Sequence, residues 1–152
     1  MTTLRLAVGC ALATFTAAFP AVAPAATPEH AQALSERAAA YIATAGQEKA
    51  LADFTSKDGG FVDGDLYVFC FDRFGVVMAH GENASLVGRN LMHLKDTDGR
   101  EPIALAIKMG FDSGRGWIGF KWPNPATKKI EHKSAYVIRT NDVVCGVGYY
   151  RQ

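Results

Sequence analysis

The chain has 152 residues with 16 basic and 15 acidic side chains, which gives a formal charge of +1. This near-neutral balance, without a basic stripe, argues against a nucleic-acid-binding protein, and the length allows one domain. After the first 25 residues no run of 18 apolar residues occurs, so no later membrane span is expected.

The chain begins with a pattern typical of a secretory signal. Arg5 precedes an apolar stretch over residues 6–22, and Ala23, Pro24 and Ala25 supply the small residues of a cleavage site. We therefore predict a cleavable signal peptide over residues 1–25, with an uncleaved anchor as the alternative, and a periplasmic or secreted protein. Without this segment the basic and acidic residues are equal in number, 15 each.

Two helices are predicted next. Thr27, Pro28 and Glu29 form a good helix start, with a hydroxyl cap, a proline in the first turn and an acid. Apolar residues then recur at helical spacing over residues 30–45, and a second helix follows over residues 47–54.

The remaining chain is mostly strands and turns, with one helix predicted over residues 101–109. The β-like segments alternate, are rich in aromatic and β-branched residues, and span residues 65–72, 76–80, 116–122, 130–140 and 143–150. An early helical segment followed by an antiparallel sheet, with a helical connection within it, indicates an α+β fold over residues 26–152.

Alternation assigns the side chains of the first and last strands to two faces. Cys70 shares a face with small aliphatic residues of its strand, as Cys145 does in the last strand, so we expect both sets under the N-terminal helix. An exported protein allows the two cysteines to pair, and a bridge closing this long loop would stabilise the fold by roughly 4 kcal/mol. Two separate buried thiols remain the alternative.

The opposite face combines large aromatics with glycines. Tyr67, Phe69 and Phe71 lie on this face of the first strand, and Gly146 and Gly148 on that of the last. Glycines leave a hollow that aromatics can wall, which is one way to build a small pocket. The alternative is a second filled core against residues 86–110.

Several segments together resemble a known family, the single Cache domains, which are extracytoplasmic sensor modules related to the PAS-like fold. The resemblance runs from about Gly46 onwards. The matching stretches are residues 65–72 with Gly75, Ala79 and His80; 87–90; 96–99; 116–117; 121–123; Lys133, Ser134, Tyr136 and Val137; and 144–150.

The resemblance implies a long N-terminal helix on a five-stranded antiparallel sheet. It also implies a pocket between the sheet and the segment that connects its second and third strands. Members of the family bind small organic molecules there, often short carboxylates, and pass the event to a kinase or chemoreceptor. Because the sequence ends at Gln152, directly after the last strand, we expect this protein to act through a separate partner such as a membrane receptor or kinase, with a free-standing binder as the alternative.

Three side chains are candidates to bind a carboxylate. Arg89 could offer a bidentate fork, although an exposed loop arginine is equally compatible with its position. Lys133 is the second cation, but alternation places it opposite Tyr136 and favours a surface position. His80 matches the Ala-His pair of the family and could donate a hydrogen bond or only close a turn.

Aromatic residues are predicted to wall the pocket. Tyr67, Phe69 and Tyr136 are assigned to it, with Trp117 and Trp122 as further ligand-binding candidates. The two tryptophans lie on opposite faces of one strand, so one of them at most should reach a ligand. The histidines lack metal-site spacing, and we predict neither a metal nor a cofactor.

These observations favour a small-molecule receptor, with a short organic acid as ligand, over an enzyme. One alternative is a protein–protein interaction module without a ligand. Another is an enzyme that uses Cys70 or Cys145 with His80, although both cysteines lie in the middle of strands and no orienting acid is identifiable.

Overall fold

The computed structural model describes residues 26–151, so the predicted signal peptide lies outside the described residues. The helices are α1 (Pro28–Ala45), α2 (Gln47–Thr55) and α3 (Pro102–Ser113), with a short 3₁₀ turn at Ala84–Leu86. The strands are β1 (Val62–Asp63), β2 (Leu66–Asp72), β3 (Val77–His80), β4 (Arg115–Pro123), β5 (Ile130–Thr140) and β6 (Val143–Tyr150). Within the described residues, no helix has both the length and the apolar character needed to cross a bilayer.

The first two helices begin and end where their capping residues require. The Thr27 side chain accepts a hydrogen bond from the His30 amide at 3.3 Å, and Pro28 occupies the first turn. At the other end Gly46 adopts φ +85°, which ends α1 and lets α2 start at the next residue.

The sheet is antiparallel throughout, in the order β1-β2-β6-β5-β4, with β3 also paired to β2. This confirms the predicted α+β arrangement of helices on an antiparallel sheet. The sheet has six strands instead of five because Val62 and Asp63 pair with the start of β2. A two-residue strand is too short to show alternation in the sequence.

One face of the sheet packs against α1 and α2 in a closely filled core. As predicted, the small aliphatic residues of β2 and β6 lie on this face, together with both cysteines. Cys70 and Cys145 are direct neighbours across β2 and β6, with their Cα atoms 4.1 Å apart, and form a disulfide. The bond joins two central strands inside the core.

Helix α1 also makes a polar contact with the sheet. The buried Ser35 hydroxyl donates to the Tyr136 carbonyl at 2.7 Å and accepts from the Val147 amide at 2.9 Å. Since Tyr136 and Val147 are paired residues of β5 and β6, the helix takes part in the hydrogen bonding between these strands.

The other face is covered by the segment that connects β3 and β4, which we call the roof (residues 81–114). Its helix α3 packs Ile103, Ala106 and Ile107 onto this face. The loop before α3 is attached to the edge strand β4, because Asp96 accepts from the Lys121 amide at 2.9 Å and Arg100 donates to the Gly119 carbonyl at 3.1 Å.

Candidate ligand-binding site

A cavity lies between the roof and the aromatic face of the sheet, at the end where β2 begins. Ten residues from β2, β3, α3, β4 and β5 line it. They are Tyr67, Phe69, Phe71, His80, Pro102, Ile103, Ile118, Phe120, Trp122 and Lys133. The lining is therefore almost entirely apolar or aromatic, with one histidine and one lysine, as is usual for sites that bind small organic ligands.

The cavity is narrow. The space in it that a water-sized molecule can occupy is about 20 Å³, which is room for a water molecule and little more. It adjoins an open surface cleft that shares Tyr67, His80 and Trp122 with it and is bordered on the outside by Glu82 and Lys128. These three side chains line both spaces and therefore lie between the cavity and the cleft.

Lys133 lies inside the cavity, and the surface position favoured by the sequence is wrong. Its relative exposure is 2%. Alternation did place it correctly on the face opposite Tyr136, but that face is covered by the roof and by the large rings of β2 and β6. The side chain therefore reaches the cavity and not solvent.

The amine of Lys133 has aromatic rings for most of its surroundings. Nζ lies 3.8 Å from the centre of the Tyr67 ring and 4.7 Å from that of Tyr150, and it donates to the Tyr150 hydroxyl at 3.3 Å. In residues 26–151 no carboxylate forms an ion pair with it. Burial lowers the pKa of Lys133 to about 7, against which the more distant charges of Asp65 and Glu82 act only weakly.

His80 is the second polar group in the cavity, and it is neutral. Burial, followed by the nearby charge of Lys133, lowers its pKa to about 4. Its Nδ1 accepts a hydrogen bond from the Asn83 amide at 3.0 Å. The neutral ring therefore carries its proton on Nε2, where it can donate to a ligand.

Two tyrosines complete the polar surroundings of the amine. Burial raises the pKa of Tyr67 to about 12, and burial likewise raises the pKa of Tyr150, so both hydroxyls remain protonated at neutral pH. The Tyr150 hydroxyl donates to the Pro123 carbonyl at 2.7 Å while it accepts from Lys133. The amine is thus held by a neutral hydroxyl and not by a counter-charge.

Glycines in β6 make room for these side chains. A Cβ at Gly148 would lie 2.6 Å from Lys133 Cε, and one at Gly146 would lie 3.0 Å from the Phe69 ring. The hollow predicted at these glycines is occupied by the lysine stem and the phenylalanine ring. The aromatic face consequently contains both a packed second core and the cavity, and the two alternatives left by the sequence each describe part of it.

The structure brings together five of the eight predicted ligand-binding residues: Tyr67, Phe69, His80, Trp122 and Lys133. The other three lie elsewhere. Arg89 is exposed in the roof. Trp117 packs against Tyr136 on the opposite face of the sheet, with ring centres 5.2 Å apart. Trp117 and Tyr136 lie away from the cavity because strand alternation places them on the face of the sheet that packs against α1.

Several lining residues were not predicted from the sequence. Phe120 and Ile118 share the face of Trp122 by simple alternation, so this signal was present in the sequence. Pro102 and Ile103 had no such signal, because their position depends on how the roof folds back over the sheet. Across the described part of the chain, three or more His, Cys, Asp or Glu side chains nowhere gather in an arrangement that could hold a metal ion.

A family model described as Single Cache domain 2 matches residues 28–152. No curated protein matches the chain. Among solved structures, a methyl-accepting chemotaxis protein from Vibrio parahaemolyticus is 24% identical, with a TM-score of 0.70 over 80% of this chain and 86% of that chain.

Two further solved structures have the same fold. The periplasmic sensor domain of a chemotaxis protein is 23% identical, with a TM-score of 0.65 over 82% of this chain and 90% of that chain. A Cache chemosensory domain described for its recognition of carboxylic acids is 22% identical, with a TM-score of 0.63 over 82% and 88% of the two chains. At these identities the likeness concerns the fold alone.

Proposed function

The chain belongs to the single Cache domain family, and from this premise we propose that it is an exported receptor for a short organic acid, bound in the cavity around Lys133. The observation that carries the proposal is a buried amine that has no acidic partner among residues 26–151. A carboxylate in the cavity would supply the missing counter-charge, and its binding would favour the protonated lysine.

The other polar groups of the cavity suit the same ligand. A neutral His80 with its proton on Nε2, and the neutral Tyr67 hydroxyl, can each donate a hydrogen bond to a carboxylate oxygen. The rings of Tyr67 and Phe69 exclude water around this ion pair, which strengthens the attraction between the charges. An amine or a cationic ligand would instead meet a like charge.

The narrowness of the cavity favours a short ligand. A molecule larger than water requires the side chains between cavity and cleft to move outwards, and each additional carbon requires more displacement. Trp122 is half-buried at this boundary and borders both spaces, so its movement would open the cavity towards the cleft. We therefore expect affinity to fall with increasing chain length of the acid.

Export and signalling form the second part of the proposal. Removal of residues 1–25 would release the domain into the periplasm or the surroundings of the cell, where a membrane receptor or kinase would respond to its ligand-bound form. Mass spectrometry of the exported protein tests the first step, since it should give the mass of a chain that starts at Ala26.

An enzyme that uses a cysteine nucleophile receives less support. Cys70 and Cys145 are both buried and joined in a disulfide, so neither sulfur of the described chain is available as a thiolate. An interaction module without a ligand remains the main alternative, and the binding experiment separates it from the proposed receptor.

The test is a thermal-shift screen followed by calorimetry. The panel consists of acetate, propionate and lactate with propionamide and propylamine as uncharged and cationic counterparts. A ligand at a hundred times its Kd stabilises the fold by about 2.7 kcal/mol, which corresponds to several degrees in Tm for a domain of this size. We expect a shift with the acids alone.

The matched variants are Lys133→Met and Lys108→Met. Lys108 is an exposed lysine of α3 that pairs with Asp112, so its replacement should leave acid binding unchanged. Lys133→Met should weaken binding by at least a hundredfold, because it removes the only cation of the cavity lining. Equal affinity in the two variants, or a Tm shift with the amide as large as with the acid, would refute the proposed site.

A further inference from the structure

Lys133 combines two properties that a simple charged anchor does not need. It is buried against rings, and its one hydrogen bond within residues 26–151 goes to the neutral hydroxyl of Tyr150. Ion pairs hold other lysines of the chain on the surface, as with Lys49 and Asp53 or Lys121 and Asp98. Burial of Lys133, without an ion-pair partner among residues 26–151, disfavours its charged form, and the free amine that results is a nucleophile.

Resting on the proposed acid-binding function, we propose that the cavity captures short 2-oxo acids covalently, as a reversible imine on Lys133 Nζ. The unprotonated nitrogen adds to the 2-oxo carbon, and a proton moves from nitrogen to the former carbonyl oxygen. The carbon–oxygen bond then breaks, the hydroxyl group leaves as water with the second proton of the amine, and a carbon–nitrogen double bond remains. Hydrolysis reverses these steps, so the reaction requires no oxidant, reductant or further reactant.

The geometry of the cavity supports each part of this reaction. The Tyr150 hydroxyl accepts from Nζ at 3.3 Å while its own proton goes to the Pro123 carbonyl, so it holds the nitrogen in place. The lining is mostly aromatic, and a dry site favours loss of water from the adduct. Because the pKa of Lys133 is about 7, a neutral solution contains on the order of a thousand times more free amine here than at an exposed lysine.

The arrangement also selects a 2-oxo acid over a simple aldehyde. In a 2-oxo acid the carboxylate is bonded directly to the reacting carbon, so it stays beside the nitrogen after the imine forms. The Nε2 proton of His80 and the hydroxyl of Tyr67, which line the same cavity, can donate to its oxygens. An aldehyde without a carboxylate would lack these contacts.

Reductive trapping tests the inference. The purified protein is mixed with pyruvate and sodium cyanoborohydride, which reduces an imine to a stable secondary amine, and the modified lysine is located by peptide mass spectrometry. We expect one dominant adduct, on Lys133, with at least tenfold more modification than on any surface lysine. Lactate, which has no carbonyl group, should protect Lys133 when it is added in excess.

The variant Lys133→Arg keeps a cation but cannot form this imine, and Lys108→Arg is its surface control. Lys108→Arg should be trapped as efficiently as the unmodified chain and Lys133→Arg at background level. Modification of Lys133 no greater than that of surface lysines would overturn the inference. If lactate still binds by calorimetry in that case, the acid receptor stands and only the covalent step is refuted; if neither acid binds, both proposals fail.

Discussion

The two faces of the sheet are built from the same strands but differ in almost every physical respect. The face under α1 and α2 is packed with small aliphatic residues and contains the disulfide. The face under the roof contains large rings, a narrow cavity and a buried amine. Neighbouring residues of one strand lie in different environments, as Cys70 lies on the α1 side and Phe69 lies under the roof.

The two faces contribute to the stability of the domain with opposite signs. Close apolar packing and a cross-link lower the free energy of the folded state relative to the unfolded chain. A buried amine whose one hydrogen bond within residues 26–151 goes to a neutral hydroxyl raises it. Since the net stability of a domain is only about 5–15 kcal/mol, the unfavourable burial of Lys133 depends on the favourable packing of the other face.

Removal of the disulfide should have the largest effect on stability. Cys70 and Cys145 are 75 residues apart, and the chain-entropy model gives about 4 kcal/mol for a loop of this length. The double variant Cys70→Ala, Cys145→Ala should therefore lose several kcal/mol of unfolding free energy in urea denaturation. Because the cysteines face away from the cavity, the folded variant should keep its affinity for acids within about threefold. A large loss of affinity would contradict the independence of the two faces.

Replacement of the buried amine should raise the unfolding free energy, whereas removal of the disulfide lowers it. The pKa of Lys133 is about 7 in the folded protein and 10.5 as the reference value, so between these values the unfolded chain binds more protons. The unfolding free energy must then rise with pH from about 7 to 10, and Lys133→Met should abolish this rise. At pH 7 we expect the variant to be more stable, on the order of a few kcal/mol.

Urea denaturation at pH 7, 8, 9 and 10 measures this effect, with Lys108→Met as the surface control. The upper limit avoids the region above pH 10, where the raised pKa of Tyr67 acts in the opposite direction and lowers stability as pH rises. A parallel pH dependence in Lys133→Met and the unmodified protein would show that burial does not lower the pKa of Lys133 in the folded state.

A pair of glycine variants should give a smaller effect and test the space around the lysine. In Gly148→Ala the new methyl group would lie 2.6 Å from Lys133 Cε, so we expect a loss of about 1–3 kcal/mol and weaker acid binding. Gly119 lies in β4 and has nothing within 4 Å of the position of a Cβ. Gly119→Ala should therefore leave both stability and affinity nearly unchanged, and equal losses in the two variants would contradict this explanation.

The smallest effect is expected at predicted site residues that lie away from the cavity. Arg89→Ala changes an exposed side chain, and Tyr136→Phe removes a hydroxyl on the α1 side of the sheet. Calorimetry should show affinities for the acid within about twofold of the unmodified protein, or roughly 0.4 kcal/mol. A tenfold loss in either variant would place a ligand contact outside the cavity described here.

Strand alternation predicted the two faces correctly because it depends only on local geometry. It placed Cys70 with Cys145, and it separated Trp117 from Trp122, of which only Trp122 lines the cavity. The start of α1 was also predictable, because helix capping depends on residues that are close together in the sequence. For the same reason the order and type of the three helices and of strands β2 to β6 followed from the sequence.

The cavity was less predictable because it depends on contacts between distant segments. Lys133 follows His132 and Glu131, two polar residues typical of an exposed strand end, and only the roof and the rings of Tyr67 and Tyr150 make its position buried. Arg89 had suitable chemistry for a carboxylate, but the path of the roof directs it to solvent. A residue's chemistry therefore indicated what could bind, and the tertiary structure decided where.

The Ser35 hydroxyl has a mechanical consequence for the whole domain. Through its two buried hydrogen bonds, to Tyr136 and Val147, it attaches α1 to adjacent strands at one point. Sliding the helix along the sheet would break both bonds without water to replace them, at a cost of about 1–3 kcal/mol for each group left unpaired. Helix α1 and the sheet should therefore move as one rigid body. A displacement of β5 would then displace the exposed side of α1 by a similar distance.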